Sequence, residues 1–230
     1  HKTDFDAVQT EITSHKAESA TEEKLGHVIV DGETILVDEN GVISSAVIPS
    51  GALTNKNLLH NWDFRNPVNQ RGKYNYAVGT SGVYTIDRWK AASTASDSII
   101  VGSGYITMPA SSGDLRLEQY IENYALYKGK TVTFTVKVNG LTLTNKAYIL
   151  IYDGVTESRV YITGDGYFST TKVINVNATM LYVRVLVYAG YSINVERVKL
   201  ELGTVSTLVN DPPADYQEQL SLCKPIISTV

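Results

Sequence analysis

Cysteine is almost missing from this chain: Cys223 is the one example in 230 residues. An internal disulfide and a Cys-rich metal site are thereby excluded. Charge is scarce too, at 19% of residues, with 20 Lys+Arg against 24 Asp+Glu and no basic block. Nucleic-acid binding takes a basic stripe to meet phosphate, so no nucleic-acid partner is expected. No apolar run approaches the ~18 residues of a membrane helix, so no membrane insertion is expected. Of four histidines, only His60 falls in the region that reads as the main domain. That leaves no multi-His zinc site and no His-based triad. No Ser has Gly both two before and two after it, and there is neither a phosphate loop nor a dinucleotide fingerprint. The chain therefore reads as a non-enzyme. Glu118, Glu122, Asp153, Glu157 and Asp165 still leave a paired-carboxylate glycosidase open.

What is abundant is tyrosine: 15, against four Phe and two Trp. Tyr buries an apolar body and keeps a hydroxyl for hydrogen bonding, which suits partly wet, ligand-facing surfaces, although it is also a good strand former. Hydrophobic residues make up 43%, enough for a globular core. The chain opens at His1 and not at Met, which reads as a fragment, a processed product or a tagged chain.

The pattern divides into four parts. Residues 1–23 read as a short helical, coiled-coil stem, because Phe5, Val8, Ile12 and His15 follow a heptad seam. A helix this short is marginal alone and needs copies of itself; the alternative is a frayed arm. Residues 24–52 read as a stalk of short strands and a linker, with turns at Asp31-Gly32 and Glu39-Asn40-Gly41. A homotrimer would bury surfaces that one copy cannot, which accounts for both parts. Residues 53–204 read as an all-β domain, and 205–230 as a C-terminal tail in which 216–223 can form a short helix.

The β reading rests on period-two alternation. Val132, Phe134, Val136 and Val138 share one face of a strand, and Thr131, Thr133, Thr135 and Lys137 the other. Ile149 and Ile151 oppose Tyr148, Leu150 and Tyr152; Leu181, Val183, Val185 and Val187 oppose Tyr182, Arg184, Leu186 and Tyr188. Between Ser192 and Leu202 the phase slips by one at Glu196-Arg197, which predicts a β-bulge. Eight to ten strands with regular turns predict a two-sheet sandwich. The faces opposite the aliphatic rows, carrying Arg116, Glu118 and Tyr120, Tyr148 and Tyr152, and Tyr182, Arg184 and Tyr188, make a candidate binding patch or subunit interface.

An ordered set of motifs adds to this. Asn57-Leu58-Leu59-His60-Asn61-Trp62-Asp63-Phe64 is followed by Asn66-Pro67-Val68-Asn69-Gln70-Arg71-Gly72 and by Tyr84-Thr85-Ile86-Asp87-Arg88-Trp89. Leu117-Glu118-Gln119-Tyr120-Ile121-Glu122, Val198-Lys199-Leu200-Glu201-Leu202-Gly203 and Asp211-Pro212-Pro213-Ala214-Asp215-Tyr216 complete it. The succession resembles the carbohydrate-binding-module-like domain of bacteriophage and prophage tail-fibre, or receptor-binding, proteins of Gram-positive hosts. The resemblance covers about 57–223. It implies a jelly-roll β-sandwich at the phage tail tip, in the virion, attaching to a host cell-wall polysaccharide or teichoic acid beside other tail proteins. It also implies a structural calcium, with Asp63 and Glu201 as oxygen donors. The sugar-contact candidates are Trp89, Arg116, Tyr120, Tyr148, Tyr152, Tyr182, Arg184 and Tyr188. A purely structural tail module and a glycan depolymerase are the alternatives.

Overall fold

The computed structural model describes residues 54–224, together with Gln9 and two short strands. Those strands, β1 (Ile35–Val37) and β2 (Ile43–Ser45), pair antiparallel across the predicted Glu39-Asn40-Gly41 turn. The expected helical stem and the linker at 48–52 lie outside the described residues. The chain divides into two compact units, 1–53 and 54–230.

The second unit is an all-β sandwich of twelve strands in two six-stranded sheets. The strands are β3 (Asn75–Val78), β4 (Val83–Tyr84), β5 (Lys90–Ser93), β6 (Asp97–Val101), β7 (Ile106–Met108), β8 (Leu115–Tyr120), β9 (Thr131–Asn139), β10 (Ala147–Tyr152), β11 (Glu157–Ile162), β12 (Gly166–Val173), β13 (Tyr182–Val187) and β14 (Ile193–Leu202). A front sheet runs β11-β10-β13-β8-β5-β4 and a back sheet β12-β9-β14-β7-β6-β3, and every pairing is antiparallel. Twelve strands replace the expected eight to ten, since β4 and β7, with two and three residues, are too short to show a period. The late strands cross repeatedly between the sheets, so that Val132, Phe134 and Val136 of the back and Ile149, Val183 and Val185 of the front share one buried core. The phase slip is a bulge, seen as a register shift between Val195 and Arg197. Leu202, which alternation along β14 places with Val198 and Leu200, is 41% exposed at the end of the strand.

The outer faces of the two sheets differ. On the back, residues 203–211 fold over the strand hydroxyls: Thr133 Oγ1 donates to the Gly203 carbonyl at 2.8 Å, and Thr135 Oγ1 to Ser206 Oγ at 2.7 Å. Leu208 is fully buried. The tail up to 224 thus belongs to the sandwich unit and ends in α1 (Tyr216–Cys223), which Asp215 caps by accepting the Glu218 amide at 2.8 Å. Lys199 points out from β14 yet is fully buried beneath this cover. Its ammonium donates to Thr54 Oγ1 (2.6 Å), Thr207 Oγ1 (2.9 Å) and Asp211 Oδ1 (2.6 Å). Among the described residues, the tail places no such cover over the outer face of the front sheet.

Candidate functional site

Register places the outward residues of the front sheet in three rows, because directly paired antiparallel residues share a face. The first row is Glu157, Tyr152, Tyr182 and Tyr120. The second is Arg159, Leu150, Arg184, Glu118, Lys90 and Tyr84. The third is Tyr161, Tyr148, Leu186, Arg116 and Ala92. Seven of the eight sequence candidates for sugar contact therefore sit on or beside one face. Trp89 does not join them. It is fully buried, edge-on to Phe64 with ring centroids 5.6 Å apart, and its indole N–H donates to the Asn61 carbonyl at 2.9 Å. A sugar ring has no access to it.

The first row is an aromatic strip. Tyr152 and Tyr182 have ring centroids 5.3 Å apart, and Tyr182 and Tyr120 4.9 Å, each pair tilted by 46° and 42°. Their exposure is uneven: Tyr182 is 9% and Tyr120 45% exposed. Tyr148, Leu150, Tyr182 and Leu186 pack together as a small second apolar layer, with Tyr152 and Tyr188 against it. Tyr148 is buried beneath Arg159, whose guanidinium lies 4.1 Å from the ring centroid. Tyr148 and Tyr182 are thus supports, while Tyr120, Tyr152 and Tyr161 present the surface. Sequence parity could not separate these roles, because it reports the face but not the packing within it. Arg159, Tyr161 and Tyr84, which parity reasoning left out, enter through their pairing.

Glu118 sits at the centre, buried, and accepts from Arg184 Nε at 2.6 Å. Arg184 Nη2 also reaches the Tyr182 hydroxyl at 3.1 Å, and Arg116 Nε approaches Glu118 at 3.5 Å. A carboxylate held between guanidiniums fixes planar polar groups in place without freezing new rotamers on binding. The Tyr188 hydroxyl bonds Tyr161, and that bond with burial pushes its pKa up to about 12.

The strip ends at Tyr120 beside a cleft of about 820 Å³. Its walls come from distant positions, among them His60, Arg71, Asp87, Arg88, Glu122 and Cys223. Asn61 assembles them. Its side chain accepts the Val68 amide and donates to the Val68 and Asp87 carbonyls, all within 3.0 Å. Gln119 clamps the His60 backbone, accepting its N–H at 2.7 Å and donating to its carbonyl at 2.8 Å. Arg88 takes a left-handed backbone (φ 71°), rare for a residue with a side chain. Burial raises the Cys223 thiol to about 11, with Asp87 adding to the effect, so it stays a neutral thiol. One signal for this cleft was visible in the sequence, the polar pairs Gln70-Arg71 and Asp87-Arg88 within the ordered motifs.

The expected calcium donors are committed elsewhere. Asp63 accepts Arg65 Nε at 2.9 Å and Nη2 at 2.5 Å, and the amides of Arg65 and Ala214. Burial pushes its pKa up, but these donors hold it below the ordinary value. Glu201 accepts the Thr207 amide and hydroxyl at 2.8 and 2.6 Å, with the Lys199 ammonium 3.9 Å away. Protein cations stand beside both carboxylates, and among the described residues no group of three or more His, Cys, Asp or Glu could hold a metal. This donor set does not fit calcium. Among the described residues, no helix is long and apolar enough to cross a membrane.

No protein-family model matches the chain, and no curated protein matches it. Solved structures similar in outline include the enzymatically active domain of tailspike protein 4 from bacteriophage CBA120, at 12% identity and a TM-score of 0.40, matching 64% of this chain. The chain spans only 21% of that tailspike's length. A family 4 carbohydrate-binding module is 19% identical, with a TM-score of 0.39 over 59% of this chain and 93% of the module. A family 61 module, TmCBM61 solved with β-1,4-galactotriose, is 16% identical, with a TM-score of 0.38 over 64% and 99%. These likenesses concern the sandwich shape and assign neither ligand nor site to this chain.

Proposed function

We propose that this chain is a glycan-binding attachment module, and that it serves a bacteriophage or prophage tail fibre as a non-enzymatic receptor-binding protein. The glycan part is supported by one observation above all. The Tyr152–Tyr182–Tyr120 strip lies against a Glu118 already clamped by Arg184, on the outer face of the front sheet. Ring faces meet the C–H side of a sugar, and fixed planar polar groups meet its hydroxyls. The phage part is supported by the ordered motifs from Asn57 to Tyr216, which also favour a cell-wall polysaccharide as partner and the tail tip as location. Trimerisation through residues 1–52 would give three weak sites on one particle, and so avidity without a tight single site.

A glycan array probed with the wild type, Tyr120→Ala and Tyr152→Ala tests this. The wild type should bind a set of cell-wall glycans, and each variant should lose about tenfold, the equivalent of about 1.4 kcal/mol. A wild type silent on the array while sedimenting as a trimer would favour the structural-module reading instead. Reducing ends released from wall polysaccharide would replace attachment by depolymerisation.

A further inference from the structure

The three outward rows of the front sheet do not balance in charge. Arg159, Arg184, Arg116 and Lys90 stand there against Glu157 and Glu118, a positive surplus on a chain whose formal net charge is −4. Arg159 and Glu157 hold each other at 2.6 Å. Glu118 is left as the carboxylate for the other three cations. Its side chain is only 7% exposed, and Arg184 Nη2 lies 2.6 Å from it. Arg116 approaches it through Nε alone, at 3.5 Å, and keeps 35% of its side chain exposed. That Nε is buried, so the exposed part of the guanidinium is the Nη end, which makes no hydrogen bond among the described residues. Lys90 pairs directly with Glu118 across β5 and β8, yet its ammonium has neither ion pair nor hydrogen bond among the described residues. The next carboxylates along the chain turn elsewhere: Asp114 accepts the Ala189 amide at 2.9 Å, and Glu122 meets Arg88. The negative charge of the central cluster thus lies beneath, and its positive charge faces outward at the β5–β8 end.

We infer that the glycan is acidic, and that a carboxylate or phosphate on it is gripped between Lys90 Nζ and the Nη groups of Arg116 while the neighbouring sugar stacks on Tyr120. Register puts Lys90 diagonal to both Arg116 and Tyr120 on one face. Diagonal neighbours in a sheet are about 7 Å apart, within reach of long side chains, so the two cations can close on one oxyanion. The guanidinium offers paired N–H donors and the ammonium a point charge. Tyr120, 45% exposed, is the ring of the strip that a sugar beside them would meet. An acidic group there offsets the surplus charge, whereas a neutral sugar leaves it uncompensated. The inference rests on the glycan-binding reading above and narrows it to acidic glycans.

Titration calorimetry on the full chain, at about 0.05 M and about 0.5 M salt, decides the matter. The probes are a hexagalacturonate, a glycerol-phosphate hexamer, and neutral galacto-, xylo- and gluco-hexaoses. The proteins are wild type, Lys90→Gln and Arg116→Gln, each of which removes a charge and keeps a polar stem. Melting curves confirm folding, and the partly exposed Lys90→Gln keeps the test open should Arg116→Gln not fold. In low salt one of the acidic hexamers should bind the wild type about tenfold more tightly than any neutral hexaose, and high salt should erode that advantage. Preference for the galacturonate makes the bound group a carboxylate, and preference for the glycerol phosphate a phosphate. Each variant should bind the preferred acid about tenfold more weakly, with a flatter salt dependence, the effect of one charged hydrogen bond. A neutral hexaose that binds as well as both acids would overturn the inference and leave the glycan reading standing. Acid binding that neither variant weakens would do the same. No binding of any probe by the wild type would remove both.

Discussion

Lys199 shows how a single residue can oppose its own periodicity. It sits at an outward position of β14, where lysine belongs in water, and is nevertheless fully buried because residues 203–211 cross above it. Its ammonium is tolerated only through its three oxygen partners, Thr54, Thr207 and Asp211. Removing it strands the carboxylates of Asp211 and Glu201, and breaking a buried pair from one side costs about 3 kcal/mol. Lys199→Met should lower stability by about that amount in urea unfolding, and the added change Asp211→Asn should recover part of it. A near-neutral Lys199→Met would show that the cover is loose. Trp89 departs from expectation for a related reason. It was a candidate for sugar contact, but the Asn61 carbonyl gives its N–H a partner inside, and that lets the whole ring be buried.

Among the elements, those longest and clearest in alternation were legible from sequence. β9 reads directly because its two faces meet different surroundings, aliphatic core on one side and hydroxyls under the tail on the other. The slip near Glu196 was legible as well, since a bulge leaves the alternation intact on both sides of it. β4 has two residues and β7 three, too few to show a period, and their pairing with β5 and β6 defines them. The cleft was the least legible feature. It joins residues from positions 60 to 223, and their meeting depends on the left-handed Asn61 and Arg88 and on side-chain clamps to backbone. The turn between β10 and β11 offers an element-level test. Buried Asp153 accepts the Val155, Thr156 and Asn175 amides at 3.0, 2.8 and 3.0 Å and lies 3.1 Å from Lys172 Nζ. Burial pushes its pKa up, but these donors outweigh it and hold the carboxyl below its ordinary value. A carboxylate depressed on folding adds stability above its unfolded pKa of about 3.9, and that stability is lost as pH falls through the folded value. Asp153→Asn should therefore cost about 2 kcal/mol at pH 7 and progressively less below about pH 4, by urea unfolding across pH. A cost that did not shrink with acid would contradict the account.

For the molecule as a whole, the two sheet faces divide the work. Over β9 and β14 the back is covered by residues 203–211, and the front keeps a layer of Tyr, Arg and Glu whose side chains pack against one another, with Tyr120 and Tyr161 still 45% and 42% exposed. Such a surface is preorganised, and preorganisation lowers what a ligand must pay in ordering. Attachment through the front face is the central claim, and mapping the backbone amides perturbed by a bound cell-wall oligosaccharide tests it most directly. The account predicts shifts concentrated in β8, β10 and β13, around Tyr120, Tyr152 and Tyr182. Shifts confined to the outer side of β9, β12 and β14, or to residues 1–53, would contradict it.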